Sequence, residues 1–224
     1  MKDENHRAAK VPAHETAYRA LRDMILFGEL APGQAVTIQG LVGTLSMGMT
    51  PVREAIRRLT SQGALVFQGN RRVSVPVLGP REWDEIAFAR LAVEPELARQ
   101  AIENMDKSHH ARLTEIDNRL NRAIAEGDVR GYLESNTRFH QEIYAASGAE
   151  VLIAIADMLW LRGGPSLRVV LGRFGTANLP DKHAEALDAI AARDGAALAA
   201  AIAADIRQGI DQVRLGFDVP GTGG

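Results

Sequence analysis

The chain has 224 residues, no Cys, 46% apolar and 24% charged side chains and a formal net charge of −2, which suits a globular protein of one large or two small domains. The missing Cys excludes disulfide frameworks, thiolate zinc sites and cysteine nucleophiles together. No apolar run approaches the ~20 residues of a membrane-spanning helix, and the polar start Met1–Lys10 has no apolar segment behind it, so neither membrane nor signal peptide is expected and a cytoplasmic location is.

The mean charge conceals an asymmetry. Residues 1–78 carry ten Lys and Arg against six Asp and Glu (+4), whereas the remainder carries sixteen against twenty-two (−6). A basic third on an acidic body suggests a part that meets a polyanion and a part with another task. The break falls at Val75-Pro76-Val77-Leu78-Gly79-Pro80, where two prolines and a glycine stop regular structure. The expected organisation is a disordered tail (1–13), a basic domain (14–78), an acidic domain (79–217) and a flexible tail (218–224).

In chain order, Tyr18, Leu21, Ile25 and Leu26 fall at helical spacing and Gly28 ends that segment. Thr37 precedes a second stripe of Ile38, Leu41, Val42 and Leu45, and Ser46-Met47-Gly48 makes a short break. The third helix is expected to start with Thr50 as N-cap and Pro51 as its first residue. Val52, Ala55, Ile56 and Leu59 share one face, with Arg53 and Arg57 stacked four residues apart on the other. Two short helices around a tight break, with arginines opening the second, is helix-turn-helix geometry. Ala64–Gln68 and Val73–Val75 read as a hairpin with a basic tip, Gly69-Asn70-Arg71-Arg72, that is, a wing. Taken alone, an Arg pair is an ordinary solvated helix face; the break before it and the basic hairpin after it favour a recognition helix reading the major groove beside a wing on the backbone or minor groove.

Beyond Pro80 every segment is helical. Trp83, Ile86, Arg90, Leu91, Glu94, Leu97, Ala98 and Ala101 trace one face of a long helix with Pro95 inside it, where a kink is expected. Further helices are expected from Ser108, after Gly127-Asp128 and through Leu152, Ile155 and Leu159. A Gly- and Pro-containing connection, Gly163–Pro180, follows, and then a helix capped by Asp181 and another from Ala197. The fold class is mainly α: a winged helix-turn-helix of three helices and a small β-hairpin, followed by an all-α antiparallel bundle of about six helices. Polar groups interrupt its apolar stripes. Asn136 and His140 are four residues apart on one face, His183 shares a stripe with Leu187 and Ile190, and Asp205 continues that of Leu198 and Ile202. Buried separately and unpaired, each costs ~1–3 kcal/mol, so a common partner is expected. Two imidazoles, an amide oxygen and a carboxylate suit a divalent ion such as Zn²⁺, Ni²⁺ or Mn²⁺, with positions left for a small carboxylate. A core His is more often simply hydrogen-bonded. Arg90 either forks onto an effector carboxylate or pairs internally with Glu94, and Arg162, Arg168 and Arg173 are further candidates.

Leu26–Gly33, Met49–Leu59 and Asn70-Arg71 resemble the winged helix-turn-helix of GntR-family bacterial transcription regulators. Arg90–Glu94, Asn136–His140 and His183 resemble the FCD ligand-binding domain of the FadR-type subfamily. The resemblance implies DNA-binding roles for Thr50, Arg53, Arg57, Asn70 and Arg71, an effector role for Arg90, and a metal set of Asn136, His140, His183 and Asp205, the metal helping to hold an organic acid. It also implies a homodimer on a two-fold double-stranded operator, most often as a repressor relieved by ligand. Two departures stand out: Gly48-Met49 replaces the family's usual Ser-Arg, and Asp205 replaces its last His. Two other readings compete, a metal-dependent hydrolase on His140, His183 and Asp205, and an effector-binding protein whose DNA reading has weakened at Gly48-Met49.

Overall fold

The structure, a computed structural model, describes residues 11–69, 71–174 and 181–217, with 168–174 by their backbone alone. Helix α1 (Ala13–Leu26) buries Ala17, Tyr18, Leu21, Ile25 and Leu26, the face set by its helical spacing. A two-residue strand β1 (Val36–Thr37) runs straight into α2 (Ile38–Leu45), whose N-cap Thr37 accepts a 2.9 Å hydrogen bond from the Gly40 N–H. Ser46, left-handed at φ 52°, turns the chain into α3 (Met49–Ser61). The N-cap of α3 is Gly48, not Thr50, so Thr50 and Pro51 lie inside the first turn. Pro51 is tolerated there because the first backbone N–H groups of a helix have no partner within it.

The hairpin is present as β2 (Val66–Phe67) and β3 (Arg72–Ser74), but it is part of a larger sheet. Strand β1 pairs antiparallel with β3, Val36 opposite Val73, giving the order β1-β3-β2. Two residues cannot display an alternation, so β1 leaves no periodic mark in the sequence.

Among the described residues the bundle holds α4 (Pro80–Ala101), α5 (Lys107–Glu126), α6 (Val129–Ala146), α7 (Glu150–Phe174), α8 (Lys182–Ala192) and α9 (Gly195–Phe217). Asp128 and Asp181 cap α6 and α8 through their side chains, as expected, whereas α5 is capped by Asp106 rather than begun by Ser108. Helix α4 continues through Pro95.

The largest correction concerns α7, which runs on through Gly163, Gly164 and Pro165 to Phe174 where a connection was expected. These glycines are packing residues. A Cβ on Gly163 would stand 3.2 Å from Trp83 and 3.3 Å from Ile86, and one on Gly164 would stand 3.6 Å from Leu26. Close helix packing here overrides the poor helix propensity of glycine. Residues 175–180, like the tails 1–10 and 218–224, lie outside the described residues.

Two apolar cores result. Trp83, Leu97, Leu113, Phe139, Ile143, Leu198 and Ile202 belong to that of the bundle. Leu21, Ile25, Val52, Ile56, Leu59, Leu65 and Val73 belong to that of the winged domain, which also takes in Trp160 and Leu161 from α7. Full burial of an apolar side chain contributes ~1.5–3 kcal/mol, so α7 is a structural part of the winged domain as well as of the bundle.

Candidate functional site

The winged domain sorts its arginines into two groups. Arg19 and Arg58 both reach Glu15 at 2.9 Å, Arg58 also lies over the Tyr18 ring, and Arg22 reaches Asp157 of α7 at 3.1 Å. Arg53 and Arg57 on α3 and Arg71 and Arg72 on the wing are exposed, and none forms an ion pair among the described residues. The helix that carries the first two is fixed from beneath by Val52, Ala55, Ile56 and Leu59. The wing is tied to α2 by the Ile38 N–H, which donates to the Arg71 carbonyl at 3.0 Å. Thr50 is exposed in the first turn of α3. Asn70 lies outside the described residues.

In the bundle, α6 presents Asn136, His140 and Tyr144 as a ladder at four-residue spacing, α8 adds His183 and α9 adds Asp205. Ligand atoms of His140, His183 and Asp205 all lie within 4.8 Å of one another. His140 is fully buried, His183 nearly so, and Asp205 keeps 22% of its side chain exposed. Asn136 is buried and lines the same cavity as Asp205.

The partners of the two Nδ1 atoms both accept a hydrogen bond. Tyr144 donates its hydroxyl to Glu94 at 2.6 Å, so toward the His140 Nδ1 at 3.0 Å it serves as acceptor. Asp117 accepts from the His183 Nδ1 at 3.1 Å and is itself held by the Asn121 amide at 3.0 Å. A neutral imidazole at either position would therefore place its N–H on Nδ1 and a lone pair at Nε2 toward Asp205, at 3.0 Å for His140 and 4.0 Å for His183, whereas a protonated one would donate to Asp205 from Nε2. Burial pushes the Asp205 carboxyl up, but a hydrogen bond and positive charge from a protonated His140, then positive charge at His183 and Arg90, more than offset this and hold it down at about 2. Three acceptors facing one another with no hydrogen among them repel, unless a cation or an added proton sits between them. The donor set, two imidazole nitrogens and a carboxylate with both Nδ1 atoms held by outer partners, fits a divalent ion. Phe139 stacks on His183 at 3.9 Å and 8°, which sets the plane of that ring.

Arg90 makes the internal pair: its Nε and Nη2 fork onto Glu94 at 2.6 and 3.2 Å, with both residues buried. The carboxylate of the pair has two further donors. Glu94 also accepts from Tyr144 and from the Trp160 indole N–H at 3.0 Å, and Trp160 lies under the Arg90 guanidinium at 4.6 Å. Burial alone lowers the Arg90 pKa, but Glu94 reverses this and raises it, while burial and then Glu94 push the Tyr144 hydroxyl well above its ordinary value. The fork to Glu94 leaves the other edge of the guanidinium unused, and Arg90 lines the cavity. The internal pair and an effector contact are thus compatible.

The cavity is small, about 40 Å³, and is walled by Arg90, Tyr132, Asn136, Trp160, Leu167 and Asp205 among others. A larger open groove of about 340 Å³ lies between α5 and α6, but two of its arginines, Arg119 and Arg138, already face Glu115 and Glu134. Arg162 does not line the cavity; it sits below Gly63, in the turn that leaves α3. The side chains of Arg168 and Arg173 lie outside the described residues. Sequence reasoning missed Asp117, Tyr144 and Trp160. Asp117 stands on the apolar stripe between Leu113 and Leu120, and Tyr144 extends the Asn136–His140 ladder, so both left a signal; Trp160 left none.

Comparison with known proteins agrees with this architecture. Residues 13–75 match the model of bacterial regulatory proteins of the gntR family, and residues 85–208 match that of the FCD domain. The HTH-type transcriptional regulator McbR of Escherichia coli strain K12 is 33% identical over 159 residues, 71% of this chain and 72% of the relative. The solved structure of E. coli McbR/YncC superposes with a TM-score of 0.87 at 28% identity, covering 93% of this chain and all of that one. The HTH-type transcriptional repressor GlaR of E. coli strain K12 is 24% identical over 80% of this chain and 86% of its own length. No helix among the described residues is long and apolar enough to cross a membrane. The chain is a member of the GntR family, of the FadR type with a winged helix-turn-helix followed by an FCD domain, and is a transcription regulator.

Proposed function

We propose that the protein is a cytoplasmic homodimeric repressor whose hold on its operator is set by a small carboxylate bound in the FCD cavity beside a divalent ion. Arg53 is the first choice for a base contact, with Thr50, Arg57 and Arg71 on phosphates or the wing's groove and Asn70 a further candidate from the sequence. Support for the DNA-reading face comes from the sorting of charge, in which only Arg53 and Arg57 of α3 and Arg71 and Arg72 of the wing lack carboxylate partners among the described arginines of that domain. A homodimer matches the two-fold symmetry of operators, and repression is what the name of GlaR describes.

The single observation that carries the metal reading is that ligand atoms of His140, His183 and Asp205 all lie within 4.8 Å of one another. These three would hold the ion, with Asn136 on the same wall. A bound divalent ion supplies positive charge that neutralises Asp205 and attracts a second carboxylate. The free edge of Arg90 orients that carboxylate, and Glu94 keeps the guanidinium in place.

Elemental analysis of the purified protein and of a His140→Ala variant tests the metal site: the unmodified chain is expected to retain Zn, Ni or Mn near one equivalent and the variant to lose it. Equal content in both removes His140 from the site. A thermal-shift screen of sugar acids, hydroxy acids, dicarboxylates and aromatic acids, each with and without added Zn²⁺, identifies the effector.

A further inference from the structure

The cavity and the winged domain meet on one helix. On the cavity side of α7, Trp160 gives its indole N–H to Glu94 at 3.0 Å, lies 4.6 Å below the Arg90 guanidinium and has its ring centre 5.1 Å from that of His140. On the other side, the same Trp160 and its neighbour Leu161 are buried in the apolar core formed by α1, α3 and the sheet. The next residue, Arg162, comes so near the turn after α3 that a Cβ on Gly63 would stand 3.3 Å from its Nε. Gly63 follows α3 by two residues and holds φ +73°, so the turn that ends the recognition helix lies against the Arg162 side chain, while α7 itself packs on α1, where Gly164 faces Leu26.

The size of the cavity makes this juxtaposition consequential. About 40 Å³ is far below the ~300–1,000 Å³ of a pocket that encloses a small organic ligand. A wall must yield for an acid to enter. The α6 wall carries His140, and the α9 wall carries Asp205; α7 supplies Trp160 and Leu167 and makes no contribution to the ligand set. Packed interiors respond to such insertion by shifting between discrete arrangements rather than by smooth deformation.

We infer that Trp160 is the coupling residue of this regulator: it senses the state of the cavity through Glu94 and passes it, through Leu161 and Arg162, to the seat of the recognition helix. The inference rests on the reading of the cavity as the effector site, but its test needs neither metal nor acid. Operator affinity is measured by fluorescence anisotropy, on a duplex selected in vitro, for the full chain, Asp205→Asn, Trp160→Phe and the double variant. Phe keeps an apolar ring in the winged core and has no N–H for Glu94. Asp205→Asn is expected to change operator affinity by about fivefold or more when Trp160 is present, and by less than about twofold when Phe replaces it. A difference that survives in the Trp160→Phe background, or no difference in the chain that retains Trp160, overturns the inference.

A second readout needs no substitution in the junction. The chain has two tryptophans, Trp83 and Trp160, so 5-fluorotryptophan labelling gives two ¹⁹F signals. That of Trp160 is expected to shift on adding operator; an unchanged Trp160 signal at saturating DNA contradicts the inference. Failure of the effector reading looks different: operator affinity then ignores every acid and metal while the Asp205→Asn difference, and with it the coupling, remains.

Discussion

The two halves of the molecule treat charge in opposite ways. In the winged domain Arg53, Arg57, Arg71 and Arg72 stand exposed and unpaired among the described residues, whereas in the bundle Arg90, Glu94, Asp117, His140 and His183 are buried and bonded to one another or to Tyr144 and Trp160. A surface whose cations have no internal partner is complete only with an external anion. The bundle is nearly complete by itself, and the shortfall at Asp205 is confined to the space of an ion. The first arrangement favours a large polyanionic partner, the second a small one.

The comparison breaks most visibly at Glu94. Glu94→Ala strands Arg90 in the bundle interior, and urea unfolding is expected to show a loss of ~3–5 kcal/mol; an unchanged midpoint would mean that the pair is not buried as described. Arg53→Ala sits at the opposite extreme. Operator binding should weaken by ~1–3 kcal/mol while the free energy of urea unfolding stays within ~0.5 kcal/mol of the parent, as for an ordinary surface substitution. Loss of stability without loss of binding would assign Arg53 to the fold instead. Asp117→Ala, which frees the His183 Nδ1, should weaken metal binding ~10–100-fold in equilibrium dialysis; unaltered affinity would make Asp117 a spectator. The smallest effects belong to Arg57 and Arg71. Each replacement by Ala should lower affinity for all duplexes alike and reduce the slope of log affinity against log salt by ~1, and a sequence-dependent loss would move that arginine to a base contact.

Much of this was legible in the sequence because the informative residues obey helical spacing. The α3 stripe Val52, Ala55, Ile56 and Leu59 placed Arg53 and Arg57 on the outside, and the polar interruptions marked one region of the bundle, where His140 and His183 meet Asp205 and where Asn136 and Asp205 line the cavity. What failed did so for identifiable reasons. Gly163 and Gly164 read as helix breakers because the sequence does not show that Trp83, Ile86 and Leu26 press against them. Strand β1 was too short for a period, and Gly48, with no side chain to accept a bond, gave no capping signal ahead of Thr50. Trp160 resembles any other core aromatic until the chain is folded; only the fold shows that it faces Glu94 and the winged domain at once.

The central claim is that the state of the bundle cavity sets the grip of the α3 face on DNA. Its most direct test is an anisotropy titration of one operator duplex with the unmodified protein, run without and with a saturating concentration of the acid that the thermal-shift screen selects, at fixed salt and metal. The account predicts two operator affinities differing by about fivefold or more. A single affinity in both conditions, with the acid shown to be bound, would contradict it.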